Sequence, residues 1–333
     1  MLSVKNITKG YLETLFKKVN NIISYKHYHL KERKILVNAF FEPSTRTSLS
    51  FESAMYRLGG DVITFNKDFS SLKKGESFED TIKTLSSYGH VMAIRHPEKG
   101  AIEKAAEISD IPIINAGDGN GQHPTQALLD MYTIYRKFPE LEKLKILFIG
   151  DIKNSRTVHS LVDLFSFYTT NKLYFLPYDD SLPDSNFLYD IAGKHGQDPD
   201  NILIDRDILD ISQYDVVYMT RMQKERRDYE VSPDFILTPE LANQMKENSL
   251  IMHALPRNEE LPTTIDSNHR AVYFEQMKYG LYVRMALLED LTNWLYLNLF
   301  KYIRFFLIMT HQQRNYHDEI AMADLYNTIY TFT

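Results

Sequence analysis

Phe41-Glu42-Pro43-Ser44-Thr45-Arg46-Thr47-Ser48 is the stretch on which the reading of this chain turns. Before it, Lys34-Ile35-Leu36-Val37-Asn38-Ala39-Phe40-Phe41 is a short, mostly apolar run that predicts a buried strand. After it, Leu49 to Leu58 predicts a helix, stopped by Gly59-Gly60. A cluster of hydroxyl residues around one arginine therefore sits where a strand hands over to a helix. Unpaired backbone N–H groups point outward at such a junction, and the helix dipole favours an anion there. Ser44, Thr45 and Thr47 add hydroxyl donors and Arg46 a planar charged fork, which suits phosphate or carboxylate. A plain Ser/Thr helix cap beside a solvated arginine has the same local pattern.

Working outward, the chain alternates. Residues 5–24 read as a helix, Asp61 to Phe65 as a strand, and Asn66 to Glu76 as an exposed, mobile loop before a helix from Phe78. Val91 to Arg95 reads as a strand, 100–109 as a helix, Ile111 to Asn115 as a strand and 116–121 as a loop, with a further helix opening at Pro124. The pattern then restarts. Strands are expected over Leu144 to Gly150, Lys172 to Leu176, Tyr214 to Met219 and Ser249 to Met252, with a helix over 156–168. This βα alternation predicts an α/β protein of two domains, each a parallel sheet with helices on both faces, and a cleft between them. The expected division is 1–138 and 139–276, with a last helix over about 277–306 completing the first domain and 307–333 left as a polar, aromatic tail of unassigned order.

Composition bounds the function. The 333 residues are 44% apolar and 25% charged, as in an ordinary globular protein long enough for two cores. With 44 acidic against 38 basic residues the net charge is −6, which argues against a general nucleic-acid binder but leaves room for a local cationic pocket. The chain has no cysteine, so disulfides, thiolate metal sites and a cysteine nucleophile are excluded. An intracellular, cytoplasmic address fits, and neither a signal peptide nor a membrane span is expected. The apolar run Trp294 to Met309 is interrupted by Asn298, Lys301 and Arg304.

Ligands of parallel α/β sheets bind beyond the carboxyl ends of the strands. Arg46, Arg95, Arg156 and Arg221 all fall at such ends, and four of them imply substrates with several negative charges. His123 and Gln126 follow one strand, Thr220 to Gln223 another, and His253-Ala254-Leu255-Pro256-Arg257 a third. Gly150-Asp151-Ile152-Lys153-Asn154-Ser155-Arg156 opens a helix but lacks the glycine spacing of a dinucleotide site. Neither a P-loop nor a His-Glu-x-x-His metal spacing is present, so no cofactor and no metal are expected.

Phe41 to Thr47, the run Asn115-Ala116-Gly117-Asp118-Gly119 followed by Gln122-His123-Pro124-Thr125-Gln126-Ala127-Leu128-Leu129-Asp130, and Met219 to Arg226 together resemble the aspartate/ornithine carbamoyltransferase family, over residues 5 to 300 and in family order. The third segment resembles the aspartate branch. The Asp-x-x-x-Ser-Met-Gly segment and His-Cys-Leu-Pro cysteine typical of the ornithine branch are missing. The resemblance implies transfer of a carbamoyl group from carbamoyl phosphate to the amine of L-aspartate, a step of pyrimidine biosynthesis. It implies that Ser44, Thr45, Arg46 and Thr47 hold the phosphate, and that Thr47, Arg95 and His123 donate to the carbonyl oxygen. Gln126 with the carbonyls of Leu255 and Pro256 would hold the carbamoyl amino group, and Leu255 would also border aspartate. Arg156 would take the α-carboxylate of aspartate, and Arg221 with Gln223 its β-carboxylate. Ser70 (or Ser71) and Lys74 would enter a neighbouring subunit's site, Ser70 at carbamoyl phosphate and Lys74 at both substrates, which implies a homotrimer. Regulatory chains or other pathway enzymes are admitted as partners; nucleic acid and membrane are not. A transcarbamylase for another amino acid, or a retired binding or scaffold protein of the same fold, are the alternatives. Two departures stand out. Ser48 replaces a common arginine. Ala254 replaces the usual proline of a turn that often carries a cis peptide, which raises the prospect of a costly non-proline cis bond there.

Overall fold

The computed structural model describes residues 1–25, 28–119, 121–178, 181–223 and 233–292. The first sheet contains β1 (Ile35–Phe40), β2 (Asp61–Asn66), β3 (Val91–His96) and β4 (Ile113–Asp118), ordered β2-β1-β3-β4 with every pair parallel. The second contains β5 (Lys145–Gly150), β6 (Lys172–Pro177), β7 (Val216–Thr220) and β8 (Leu250–His253), ordered β6-β5-β7-β8, again all parallel. The two sheets thus repeat one topology. The central strands β1, β3, β5 and β7 are nearly continuous apolar runs because helices bury both of their faces. The edge strand β2 is half-exposed.

The helices are α1 (Lys9–Ser24), α2 (Thr45–Arg57), α3 (Phe78–Ser86), α4 (Ala101–Ile108), α5 (Pro124–Lys137), α6 (Arg156–Phe165), α7 (Ser185–His195), α8 (Pro239–Gln244) and α9 (Tyr273–Thr292). Ile82 and Leu85 of α3, with Ile102 and Ala105 of α4, pack onto Val37, Ala39, Met92 and Ile94, closing one face of the first sheet. Asn38 points to the other face, where its amide donates to Ser48 and Glu52 of α2. That contact uses the serine that stands in place of the common arginine. In the second sheet, Leu147, Ile149, Val217, Met219 and Ile251 share a core with Ala242 of α8, while Phe148 and Phe175 stack on the opposite face near Phe187 of α7. Helices α5 and α6 pack against each other and join the two halves.

The sequence reading placed every strand but missed α7 and α8. In α7 the buried Leu188, Ile191, Ala192 and His195 keep helical spacing, but the run Phe187-Leu188-Tyr189, with Tyr189 exposed, blurs it in the sequence, and α8 is a six-residue helix. Residues 116–118, expected in a loop, extend β4. The expected loop at 66–76 is instead two short 3-10 turns, Lys67–Phe69 and Ser71–Lys74. The last helix begins at Tyr273, four residues before the expected start at 277. The remainder of that expected helix and the tail lie outside the described residues.

Candidate active site

In a sheet ordered 2-1-3-4 the chain leaves the first and third strands in opposite directions, and the crevice that opens between them is where ligands bind. Both sheets place their cationic segments there. The first sheet contributes Ser44 to Thr47 after β1 and Arg95 on β3. The second contributes Ser155 and Arg156 after β5 and Arg221 after β7. Together they line one cleft of about 540 Å³, within the roughly 300–1,000 Å³ of small-molecule sites. Of the residues proposed from sequence, Ser44, Thr45, Arg46, Thr47, Arg95, His123, Gln126, Arg156, Arg221, Gln223, Leu255 and Pro256 all line it. Ser70 and Lys74 do not. They lie on the short turns between β2 and α3, beside the almost fully exposed Phe69, at 89%.

Three helix N-termini open into the cleft: α2 at Thr45, α5 at Pro124 and α6 at Arg156. Each carries unpaired N–H groups and a partial positive charge. Ser44 is the N-cap of α2, yet its side chain makes no capping bond. Its hydroxyl accepts instead from Nη1 of Arg95 at 3.3 Å.

The arginines face one another. Partial burial first, then the charges of Arg95 and Arg221, hold Arg46 below the usual arginine range. Glu42 is the carboxylate among them: its Oε1 takes Nε of Arg95 at 2.5 Å and lies 3.5 Å from Nη2 of Arg156. Nη1 of Arg156 donates to the Gly119 carbonyl at 2.6 Å. Gly117 makes room for this guanidinium, since a Cβ there would lie 3.1 Å from Nη2 on a backbone with φ +131°. Arg284 of α9 is buried over the Phe51 ring, and its Nε has no hydrogen-bond partner. Burial pulls it down to about 10, so it stays charged at neutral pH.

His123 is buried, and burial with the nearby charges of Arg156, Arg95 and Arg284 holds its imidazole well below the usual histidine range. It is neutral at pH 7. Its buried Nδ1 has no partner, and an orphan acceptor is more readily tolerated than an orphan N–H. A proton on Nε2 leaves that orphan as an acceptor and makes the ring a donor. Gln223 is fixed by two bonds, its backbone N–H to Asp151 at 3.1 Å and its side-chain amide to the Asn154 carbonyl at 2.8 Å.

The turn after β8 corrects an expectation. Its cis peptide is Leu255–Pro256, so Ala254 carries no non-proline cis bond. Leu255 has φ +56°, an uncommon conformation for a non-glycine residue, and is held by a scaffold. Its N–H donates to Nδ1 of His253 at 2.8 Å, while Nε2 of the same ring meets Glu260 at 3.0 Å. Residues to which sequence reasoning gave no role are thus Glu42, His253, Glu260, Arg284, and a buried set of Asp130, Tyr218 and Gln276. Asp130 alone left a signal, standing four residues after Gln126 on one helix face. Lys224 to Arg226 of the quoted motif lie outside the described residues. Among the described residues no group of three or more acidic, histidine or cysteine side chains could hold a metal ion.

Two family models match the chain. Residues 1–136 match the carbamoyl-P binding domain of aspartate/ornithine carbamoyltransferase, and residues 142–291 match its Asp/Orn binding domain. The aspartate carbamoyltransferase catalytic subunit of Clostridium acetobutylicum is 41% identical over 87% of this chain and 97% of its own length. That of Methanococcus vannielii is 45% identical over 80% of this chain and 88% of its own. The multifunctional protein CAD of Squalus acanthias is 43% identical over 86% of this chain, which spans 13% of the length of that larger protein. Among solved structures, aspartate transcarbamoylase of Trypanosoma cruzi in complex with carbamoyl phosphate and aspartate is similar at TM-score 0.80 and 36% identity, over 87% of this chain and 95% of that one.

Proposed function

The chain belongs to the aspartate/ornithine carbamoyltransferase family, and from that premise we propose that it transfers the carbamoyl group of carbamoyl phosphate to the amine of L-aspartate, yielding N-carbamoyl-L-aspartate and phosphate. The observation that carries this reading is the convergence of Arg46, Arg95, Arg156 and Arg221, from both sheets, on one cleft at three helix N-termini. Two anionic substrates, one phosphorylated and one dicarboxylic, would neutralise such a surface.

The first domain, residues 1–138 with the C-terminal helix, takes carbamoyl phosphate. Ser44, Thr45, Arg46 and Thr47 hold its phosphate on the N-terminus of α2. Gln126 and the carbonyls of Leu255 and Pro256 hold its amino group. The second domain, residues 139–276, takes aspartate, with Arg156 on the α-carboxylate and Arg221 and Gln223 on the β-carboxylate. The uncharged amine of aspartate attacks the carbonyl carbon, and charge builds on the carbonyl oxygen. Thr47, Arg95 and the neutral His123 donate to that oxygen; preorganised donors of this kind supply about 2.7–4 kcal/mol each in comparable acyl transfers. The tetrahedral species then breaks its C–O bond to phosphate, and the amine proton leaves with the phosphate. Neither a covalent enzyme intermediate nor a cofactor is required. Holding both substrates together in one cleft lowers the barrier further by proximity.

A homotrimer with shared sites completes the proposal. What supports it is that Ser70 and Lys74 stand on exposed turns outside this chain's own cleft, where a neighbour's cleft can receive them. A cytoplasmic address and docking of regulatory chains or pathway enzymes belong to the same reading. No helix among the described residues is long and apolar enough to cross a membrane.

The direct test is formation of carbamoyl-aspartate by the purified chain, with ornithine as control acceptor. Product with aspartate alone supports reaction and acceptor together. Product with ornithine instead, or none with aspartate while carbamoyl phosphate still binds, overturns the acceptor assignment.

A further inference from the structure

Asp130 lies on α5 with its carboxylate fully buried, and its oxygens accept three hydrogen bonds, all from uncharged donors. Oδ1 takes Nε2 of Gln126 at 2.8 Å and Nε2 of Gln276 at 2.5 Å, and Oδ2 takes the hydroxyl of Tyr218 at 2.7 Å. These donors come from three elements: α5 itself, α9 and β7. Gln276 also accepts from the His253 N–H at 3.1 Å, at the entrance to the Leu255–Pro256 turn. One carboxylate therefore ties Gln126 to the ends of two strands of the second sheet.

The chemistry of this hub is one-sided. An ionised carboxylate only accepts. The amide of Gln126 must then turn its nitrogen toward Asp130, and its carbonyl oxygen projects to the opposite side, on a residue that lines the cleft. Turning the amide round would set oxygen against oxygen and leave a buried acceptor facing another.

We infer that Asp130 is a positioning residue that sets the Gln126 amide with its oxygen toward the cleft, and thereby gives the site its preference for a carbamoyl over an acetyl group on the donor phosphate. The inference rests on the reading above, in which Gln126 receives the carbamoyl amino group. Acetyl phosphate is the discriminating probe. It shares the acyl phosphate but carries a methyl group where the carbamoyl has NH₂, so it cannot donate to Gln126.

The experiment measures dissociation constants of carbamoyl phosphate and acetyl phosphate, without aspartate, for the parent chain, Asp130→Asn, Gln126→Ala and the double variant. The parent should favour carbamoyl phosphate about tenfold, the worth of one hydrogen bond. The amide introduced by Asp130→Asn offers an NH₂ of its own and no longer dictates which way Gln126 turns. Asp130→Asn should therefore bring the preference close to unity while acetyl phosphate affinity stays within about twofold. The double variant should lose no more than Gln126→Ala does, because both changes remove the same contact. A purely structural role for Asp130 would weaken both ligands alike. If Gln126→Ala abolishes the preference and Asp130→Asn preserves it, the inference is overturned while the site reading stands. If the preference survives Gln126→Ala, the assignment of Gln126 itself fails.

Discussion

Arg46→Ala separates affinity from stability. Arg46 occupies the second position of α2, and its guanidinium shares the cleft with Arg95 and Arg221, whose charges disfavour its own. Without a ligand it contributes repulsion; with a phosphate it becomes a bidentate partner. Charge-assisted hydrogen bonds are worth about 1.5–3 kcal/mol each, so a two-bond fork contributes about 3–6 kcal/mol, or roughly 10²–10⁴ in affinity. Arg46 is partly open to solvent, which places the expectation near the lower end, about a hundredfold. The fold should not suffer, because the substitution removes one of several mutually repelling cations. Thermal unfolding should stay within about 0.5 kcal/mol of the parent. Calorimetric titration with inorganic phosphate and a melting curve measure the two quantities. Phosphate affinity within about threefold of the parent, in an intact fold, would refute the placement of phosphate on this helix end.

Three further expectations can be checked. Chains carrying Lys74→Ala mixed with chains carrying Arg46→Ala should regain activity, since a mixed oligomer can assemble intact shared sites; no recovery after demonstrated subunit exchange counts against sharing. Ala254→Pro should leave kcat/KM within about twofold, because the turn is held by His253, which bonds the Leu255 N–H and Glu260, and not by the side chain at 254; a drop of an order of magnitude would show that position 254 shapes the turn after all. Stability should decline in acid. Burial depresses His90, His96, His123, His159, His195 and His253. Below about pH 6.5 the unfolded chain binds protons that the folded one refuses, so each such group removes up to about 1.4 kcal/mol per pH unit until its folded value is reached. Asp118, Asp130 and Asp163, raised by burial, act in the opposite sense but are fewer. A melting temperature that is level or rising from pH 7.5 to 5.5, about one unit either side of the ordinary histidine value, would contradict this balance.

The sequence alone was enough for the parallel α/β class and for most residues of the candidate cleft. Both depend on short-range order. Strands buried on two faces spell apolar runs, and the proposed phosphate cradle is the contiguous Ser44 to Thr47 at a strand-to-helix junction. Twelve candidate residues that line the cleft could be named because each lies at, or shortly after, a legible strand end. Long-range pairing was not legible. Gln276 meets Asp130 across 146 residues and Glu42 reaches Arg156 across 114, and no periodicity encodes such meetings. The same holds for Arg284, delivered to the cleft by α9 from the far end of the described chain. The turn at 253–256 shows the division most plainly. Its motif could be read, but which peptide is cis, and that His253 and Glu260 brace it, emerge only once the chain is folded. A local motif states which chemical groups are present. Their orientation is set by the buried hydrogen bonds that each must satisfy, and only the packed structure supplies those partners.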